Sequence, residues 1–157
     1  LYSRAGGDFG PARIPETAVL RRPTYALSLK QPWAALVVAG KKTIEVRKWA
    51  TGIRGRIYIH AARIPDRRPE AWALVADDLS LMAQLRGGII GAAELAGCIL
   101  YRTPAGFAAD APKHLNRPEW FEAPRMFGFQ FRRGELVAFV PYKGNVRFFS
   151  VEIPAAK

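Results

Sequence analysis

The chain has 157 residues, 50% of them hydrophobic and 24% charged, the composition of one globular domain large enough to bury its own core. Twenty-four basic residues against thirteen acidic ones give a formal net charge of +11. No apolar run approaches the ~20 residues of a membrane-spanning helix, and a single cysteine (Cys98) with two histidines excludes an internal disulfide and the usual zinc frameworks.

Residues 1–23 hold Gly6, Gly7, Gly10, Pro11, Pro15 and Pro23 without a steady period, which predicts a surface arm made basic by Arg4, Arg13, Arg21 and Arg22. The domain proper is expected over 24–153, with 154–157 as a short tail. Residues 25–29 predict a strand. Pro32 suits a first helical position, and Trp33, Leu36 and Val37 fall at helical spacing, so one face of a short helix should pack inward. Gly40 is its expected left-handed stop.

Residues 43–49 alternate. Ile44 and Val46 point one way; Thr43, Glu45, Arg47 and Trp49 point the other, each roughly 6.6 Å from the next. If Ile44 and Val46 face the core, the polar row faces a surface or cleft. After turns at Gly52 and Gly55, residues 56–62 alternate again, with Ile57, Ile59 and Ala61 opposite Arg56, Tyr58 and His60. Trp72, Val75, Ala76, Leu79 and Met82 form a stripe that predicts a second helix, ended by Gly87 and Gly88. Residues 89–101 read as a long strand bent or bulged at Gly91 and Gly97.

Residues 102–125 show no period and carry Pro104, Gly106, Pro112, Pro118 and Pro124, which predicts a long irregular flap. Strands are expected at 126–131, 136–140 and 146–153, with Phe127, Phe129 and Phe131 in the core. About seven strands and two helices, without regular alternation, argue against a doubly wound parallel sheet. They favour an α+β fold: a small barrel or curled mixed sheet with short flanking helices.

The charge is uneven. Residues 1–70 carry fourteen basic and five acidic groups, or +9, against ten and eight, or +2, over 71–157. Arginine, which can grip a phosphate with two bonds, supplies seventeen of the twenty-four. That asymmetry points to a polyanion, most often nucleic acid, unless the arginine is simply a compositional habit. Lys30, Gln31, Lys41, Arg47, Arg54 and Arg56 are the candidate backbone contacts, and Thr43 shares their strand. Trp33, Trp49 and Trp120 are candidate stacking surfaces, although Trp33 reads more readily as core. His60 is a candidate contact or a satisfied barrel-wall residue. Lys143, in a Pro/Gly turn, is a cleft-edge contact or a plain turn residue. Glu45 reads as a general base or an acceptor for a base edge, or as an ion pair with Arg47 or Lys42. Lys42 could serve catalysis if burial or cationic neighbours lower its pKa.

Three runs, ALSLKQPW from Ala26, GKKTIEVR from Gly40 and GRIYIHAA from Gly55, with Pro141-Tyr142-Lys143-Gly144 before an aromatic strand, resemble the ASCH domain of the PUA-like superfamily. The resemblance covers roughly 24–153. It implies a small mixed β-barrel with flanking helices and a cleft between the first helix and the barrel, where relatives are thought to bind RNA or DNA. Some small relatives hydrolyse an acylated cytidine with a lysine, a threonine and a glutamate. Lys42 stands at the lysine, Glu45 replaces the threonine, and Glu119 or Glu122 is a candidate for the glutamate. Other relatives are ribonucleases.

The leading expectation is a cytoplasmic module that binds RNA or single-stranded DNA across a basic cleft, without metal, cofactor or membrane. The alternatives are a metal-independent hydrolase of a modified nucleoside or RNA, using Lys42 and Glu45, and a protein-interaction module.

Overall fold

The computed structural model describes residues 24–153, so the predicted arm and tail lie outside the described residues. Six strands form one sheet in the order β2-β5-β4-β3-β1-β6. They are β1 (Thr24–Leu29), β2 (Ile44–Arg47), β3 (Gly55–Ala61), β4 (Gly88–Tyr101), β5 (Met126–Pro141) and β6 (Phe148–Val151). Only β1 and β3 run parallel; the other neighbours are antiparallel. The sheet curls into a half-barrel. Its edges meet through side chains: Trp49, just after β2, packs edge-on against Phe148 of β6 at 5.7 Å, and Phe148 stacks on Phe129 of β5 at 5.9 Å.

Helix α1 (Trp33–Val38) plugs the hollow, and all six of its residues are buried, not one face only. A helix apolar all round belongs inside. Its start is secured by Gln31, whose Oε1 accepts from the Ala35 N–H at 3.1 Å. Its end is the predicted glycine stop: Gly40 has φ +75°, and the N–H groups of Lys41 and Lys42 both return to the Leu36 carbonyl. Leu27, Leu29, Ile57, Ile59, Leu95, Phe129 and Phe131 line the sheet wall around it. Each such buried side chain contributes roughly 1.5–3 kcal/mol relative to exposure.

Three expectations about the elements need correction. The helix predicted to carry the stripe from Trp72 to Met82, before Gly87 and Gly88, breaks into α2 (Pro69–Trp72) and two 3-10 turns, Asp77–Leu79 and Met82–Gln84. Ala76 is extended, and the Ser80 hydroxyl bonds the Asp77 carbonyl, a local alternative to helix. Buried Gln31 ties down the end of the segment: its Nε2 donates to the Met82 and Leu85 carbonyls at 2.9 and 3.0 Å. Trp72, Val75, Leu79 and Met82 of the stripe still pack on the core, while Ala76 is exposed.

Residues 102–125 are also not irregular. They hold α3 (Pro104–Ala109), α4 (Ala111–His114) and a 3-10 turn at Pro118–Trp120. The prolines begin these elements; they do not interrupt them. Pro104, Pro112 and Pro118 sit in first turns, where a missing N–H costs nothing, and Thr103 caps α3 by accepting from the Gly106 N–H. Phe107, fully buried, joins Tyr101 and Met126 in a second small core. Finally, 126–131 and 136–140 are one strand, β5, which bends at Arg133 (φ +54°) and shifts register against β4. Gly134 is required there: an added Cβ would lie 2.5 Å from the Val38 carbonyl oxygen.

Candidate functional site

A cleft of about 660 Å³ opens between the start of α1, strand β2, the 66–68 turn, the 107–122 segment and the β5–β6 turn. Strand β2 sets its floor. Residues directly opposite across a strand pair share one face of the sheet. Glu45 lies opposite Phe129 and Arg47 opposite Phe127. Phe129 belongs to the main core, so the polar row of β2 points to the concave side of the half-barrel. Ile44 and Val46 turn outward onto the second core: the open side of Gly128 is filled by Ile44 and Tyr101, and Val46 packs beside Phe107 and Tyr101. The alternation is as expected; which face meets the main core is the reverse.

Glu45 is only 8% exposed, yet it has no cation within ion-pair distance among the described residues. Its Oε1 accepts from the Val46 N–H at 3.0 Å. Arg47 donates from Nη2 to the Ser28 carbonyl at 2.9 Å, which fixes its head beside the end of β1. Trp33 closes one wall, its indole N–H bonded to Asp66 Oδ2 at 2.8 Å. Burial pushes the Asp66 carboxyl upward, but bonds from the Arg68 side chain and backbone and from Trp33 outweigh it and hold the pKa at about 2. Arg68 lies 3.7 Å over the Trp120 ring, and Trp120 packs edge-on against Trp33 at 6.3 Å. On the opposite wall Arg147 lies 5.0 Å over Trp49.

Lys42 sits behind this wall. It is 1% exposed, donates from Nζ to the His114 carbonyl and lies 4.8 Å from the Trp33 ring centre. Burial lowers its pKa to about 8, with Glu45 opposing the shift and Arg47 adding to it. His114 is stacked on Phe107 at 4.1 Å. Its Nδ1 accepts from the Asn116 N–H and its Nε2 donates to the Phe107 carbonyl, the pattern of a neutral ring; burial lowers its pKa.

The cleft therefore gathers Lys30, Trp33, Glu45, Arg47, Trp49 and Trp120 from the residues singled out in the sequence. The others lie elsewhere. Gln31 is buried, with its amide spent on backbone groups. Thr43 and Lys42 line a second cavity of about 240 Å³ at the end of α1, and Lys41 is exposed outside both. Arg54 bonds its own loop, and Arg56 pairs with Glu135 on the outer sheet face. His60 is 1% exposed, held between the Ser28 hydroxyl and the Tyr142 carbonyl under a lowered pKa caused by burial; Ser28 lines the cleft, but His60 does not. Lys143 is exposed beyond the cleft rim. Of the two loop glutamates, Glu122 lines the cleft and pairs with Lys48, while Glu119 pairs with Arg117.

Sequence reasoning passes over Asp66, Arg68, Arg147 and Phe107. A tryptophan at a helix start needs an acceptor for its N–H, and that need was the one available signal for Asp66. The cleft is also less uniformly basic than expected: Lys30, Arg47, Arg68 and Arg147 face Glu45, Asp66 and Glu122. Asp66 and Glu122 are matched by Arg68 and Lys48, which leaves Glu45 as the floor's unpaired carboxylate. Among the described residues, no three His, Cys, Asp or Glu side chains converge to hold a metal ion, and no helix is long and apolar enough to cross a membrane.

Comparison with known proteins gives a match to the family model of the ASCH domain over residues 27–137. Activating signal cointegrator 1 of Mus musculus and of Homo sapiens is 51% identical over 37 residues, 24% of this chain and 6% of those proteins. The match thus spans a small fraction of the curated relatives. Among solved structures, a single-substitution variant of ZmASCH from Zymomonas mobilis superposes with a TM-score of 0.53 at 20% identity, covering 76% of each chain. A second crystal structure of the Zymomonas mobilis ASCH gives 0.52 at 19% identity over 75% of this chain and 73% of that one. At such identities the likeness concerns the fold.

Proposed function

This chain belongs to the ASCH domain family, a PUA-like fold associated with RNA binding, and from that premise we propose that its cleft takes an unpaired nucleotide of RNA or single-stranded DNA. The observation that carries the reading is the unpaired carboxylate of Glu45, in a cleft that indoles and cations also line. A carboxylate accepts hydrogen bonds and repels phosphate, so it suits the amino edge of a base. Indole faces suit the flat of a base, and Lys30, Arg47 and Arg147 suit the phosphates on either side. Trp120→Ala is expected to weaken binding of a short labelled oligonucleotide by roughly 5- to 150-fold in fluorescence anisotropy, since one base stack contributes ~1–3 kcal/mol. Glu45→Ala should lose affinity and flatten the preference among bases. Unchanged binding in both variants would sink the reading.

A second reading rests on Lys42, whose amine is brought by burial to about 8 and lies near Glu45. An amine in that range is suited to proton transfer near neutral pH. The reading is hydrolysis of an acylated nucleoside or of RNA. It predicts turnover by the purified chain on acylated cytidine or labelled RNA that Lys42→Ala and Glu45→Ala each abolish; equal turnover in the variants would mark a contaminant.

A further inference from the structure

The sheet register brings four cations to one end of four adjacent strands. In the order β5-β4-β3-β1, Pro141 pairs with Gly88, Gly88 with Ala61, and Ala61 with Leu29. Just beyond those ends stand Lys143, Arg86, Arg63 and Lys30, one per strand. Backbone hydrogen bonds continue the row: the Tyr142 N–H donates to the Gly87 carbonyl, the Gly87 N–H to the Ala61 carbonyl, and the Ala62 N–H to the Leu29 carbonyl. The spacing between neighbouring strands makes the row about 14 Å long, close to 5 Å per step. All four side chains are exposed, and none has an ion-pair partner among the described residues.

The cations on the outer face of the same sheet are arranged differently. On the outer face Arg56 pairs with Glu135, and Arg132 and Arg133 pair with Glu94. At the strand ends the nearby carboxylate, Asp66, is already taken by Arg68. Like charges closer than the screening length of ~8 Å repel one another, so an uncompensated row favours an anion laid along it. The row also runs into the cleft. Lys30 and Ala62 line the cleft mouth, Arg63 follows Ala62, and the turn that carries Lys143 reaches the opposite wall at Asn145 and Arg147.

We propose that Arg63, Arg86 and Lys143 form a phosphate track that carries the nucleic-acid strand onward from the cleft. This rests on the reading of the cleft as a nucleotide site, and it sets a footprint longer than the cleft alone. The test compares oligo(U) of ~3 and ~15 nucleotides, bracketing the ~4–16 typical of single-strand sites, on the wild type and on the triple variant Arg63→Gln, Arg86→Gln, Lys143→Gln. For the longer probe, the slope of log affinity against log salt should shrink by about 2, from three contacts at ~0.7 each, and low-salt affinity should fall at least about tenfold. The shorter probe should bind both proteins equally within about twofold, and an unchanged melting temperature will show that the fold is intact.

An unchanged slope for the longer probe overturns the track and leaves the cleft reading standing. Equal losses for both probes also overturn it, since a general field would then replace a contact. A wild type that binds only the longer probe, with the slope loss in the variant, removes the cleft reading and overturns the track as its continuation, leaving three phosphate contacts on their own. A wild type that binds neither overturns both.

Discussion

Phe107→Ala is expected to cost about 3–5 kcal/mol, the range for emptying a buried aromatic site. The ring is fully buried and is the centre of the second core: stacked on His114 at 4.1 Å, edge-on to Tyr101 at 5.6 Å, and tilted against Phe121 at 5.6 Å. Helices α3 and α4 are six and four residues long, too short to hold themselves together in water. Their packing on Phe107 therefore decides whether 104–122 keeps its shape. That segment supplies Asn116, Trp120 and Glu122 to the cleft, and its His114 carbonyl receives Lys42. Chemical denaturation will read the loss. Hydrogen exchange should show the amides of 104–122 exchanging faster than those of β3 and β4, and oligonucleotide binding should fall with them. A loss below about 1 kcal/mol would mean that the segment is held by other contacts.

Lys42→Met is expected to stabilise the chain by about 1–2 kcal/mol at pH 7. The amine drops from 10.5 to about 8, chiefly through desolvation. Below about 8 it is protonated both folded and unfolded, and the folded state bears the whole penalty, up to ~3 kcal/mol at 1.36 kcal/mol per pKa unit. Between about 8 and 10.5 the native chain releases the proton while the unfolded chain keeps it. Wild-type stability should therefore rise with pH across that window relative to the methionine variant, and level off above it. Losing the hydrogen bond to the His114 carbonyl offsets the gain by ~1 kcal/mol. Parallel melts of both proteins from pH 7 to 10.5 will show it. A gap that stays constant over that range would mean the amine is not perturbed. A residue that destabilises its own fold is commonly retained for function, which is why the same variant belongs in the binding and turnover assays.

Much of the scaffold was legible in the chain. Pro32 and Gly40 bracket a short helix because each has a backbone conformation that starts or stops one. The alternation over 55–61 marks Ile57, Ile59 and Ala61 as inward, and all three are buried. The bulges in β4 fall near Gly91 and Gly97, where expected. The failures have physical causes. Pro104, Pro112 and Pro118 read as breakers because, without knowing where an element begins, a first-turn proline looks the same as an interrupting one. The stripe from Trp72 to Met82 is truly apolar on one side, but the backbone turns extended at Ala76 and the Ser80 hydroxyl bonds the Asp77 carbonyl, so the same side chains reach the core from three short turns.

The chain alone determined that a tryptophan-rich, cation-rich strand and helix entry lie next to each other, since residues 30–49 are contiguous and their turns are local. It could not determine which face of β2 is buried. Alternation creates two faces, and in a four-residue strand with two apolar side chains the choice falls to the partner: the register with β5 puts Glu45 on the face of Phe129, and Tyr101 and Phe107 receive Ile44 and Val46 outside. The same holds for the cations. Arg47 reaches the cleft, Arg56 meets Glu135, and Arg63, Arg86 and Lys143 share one end of the sheet because pairing register, a long-range property, decides which distant residues become neighbours.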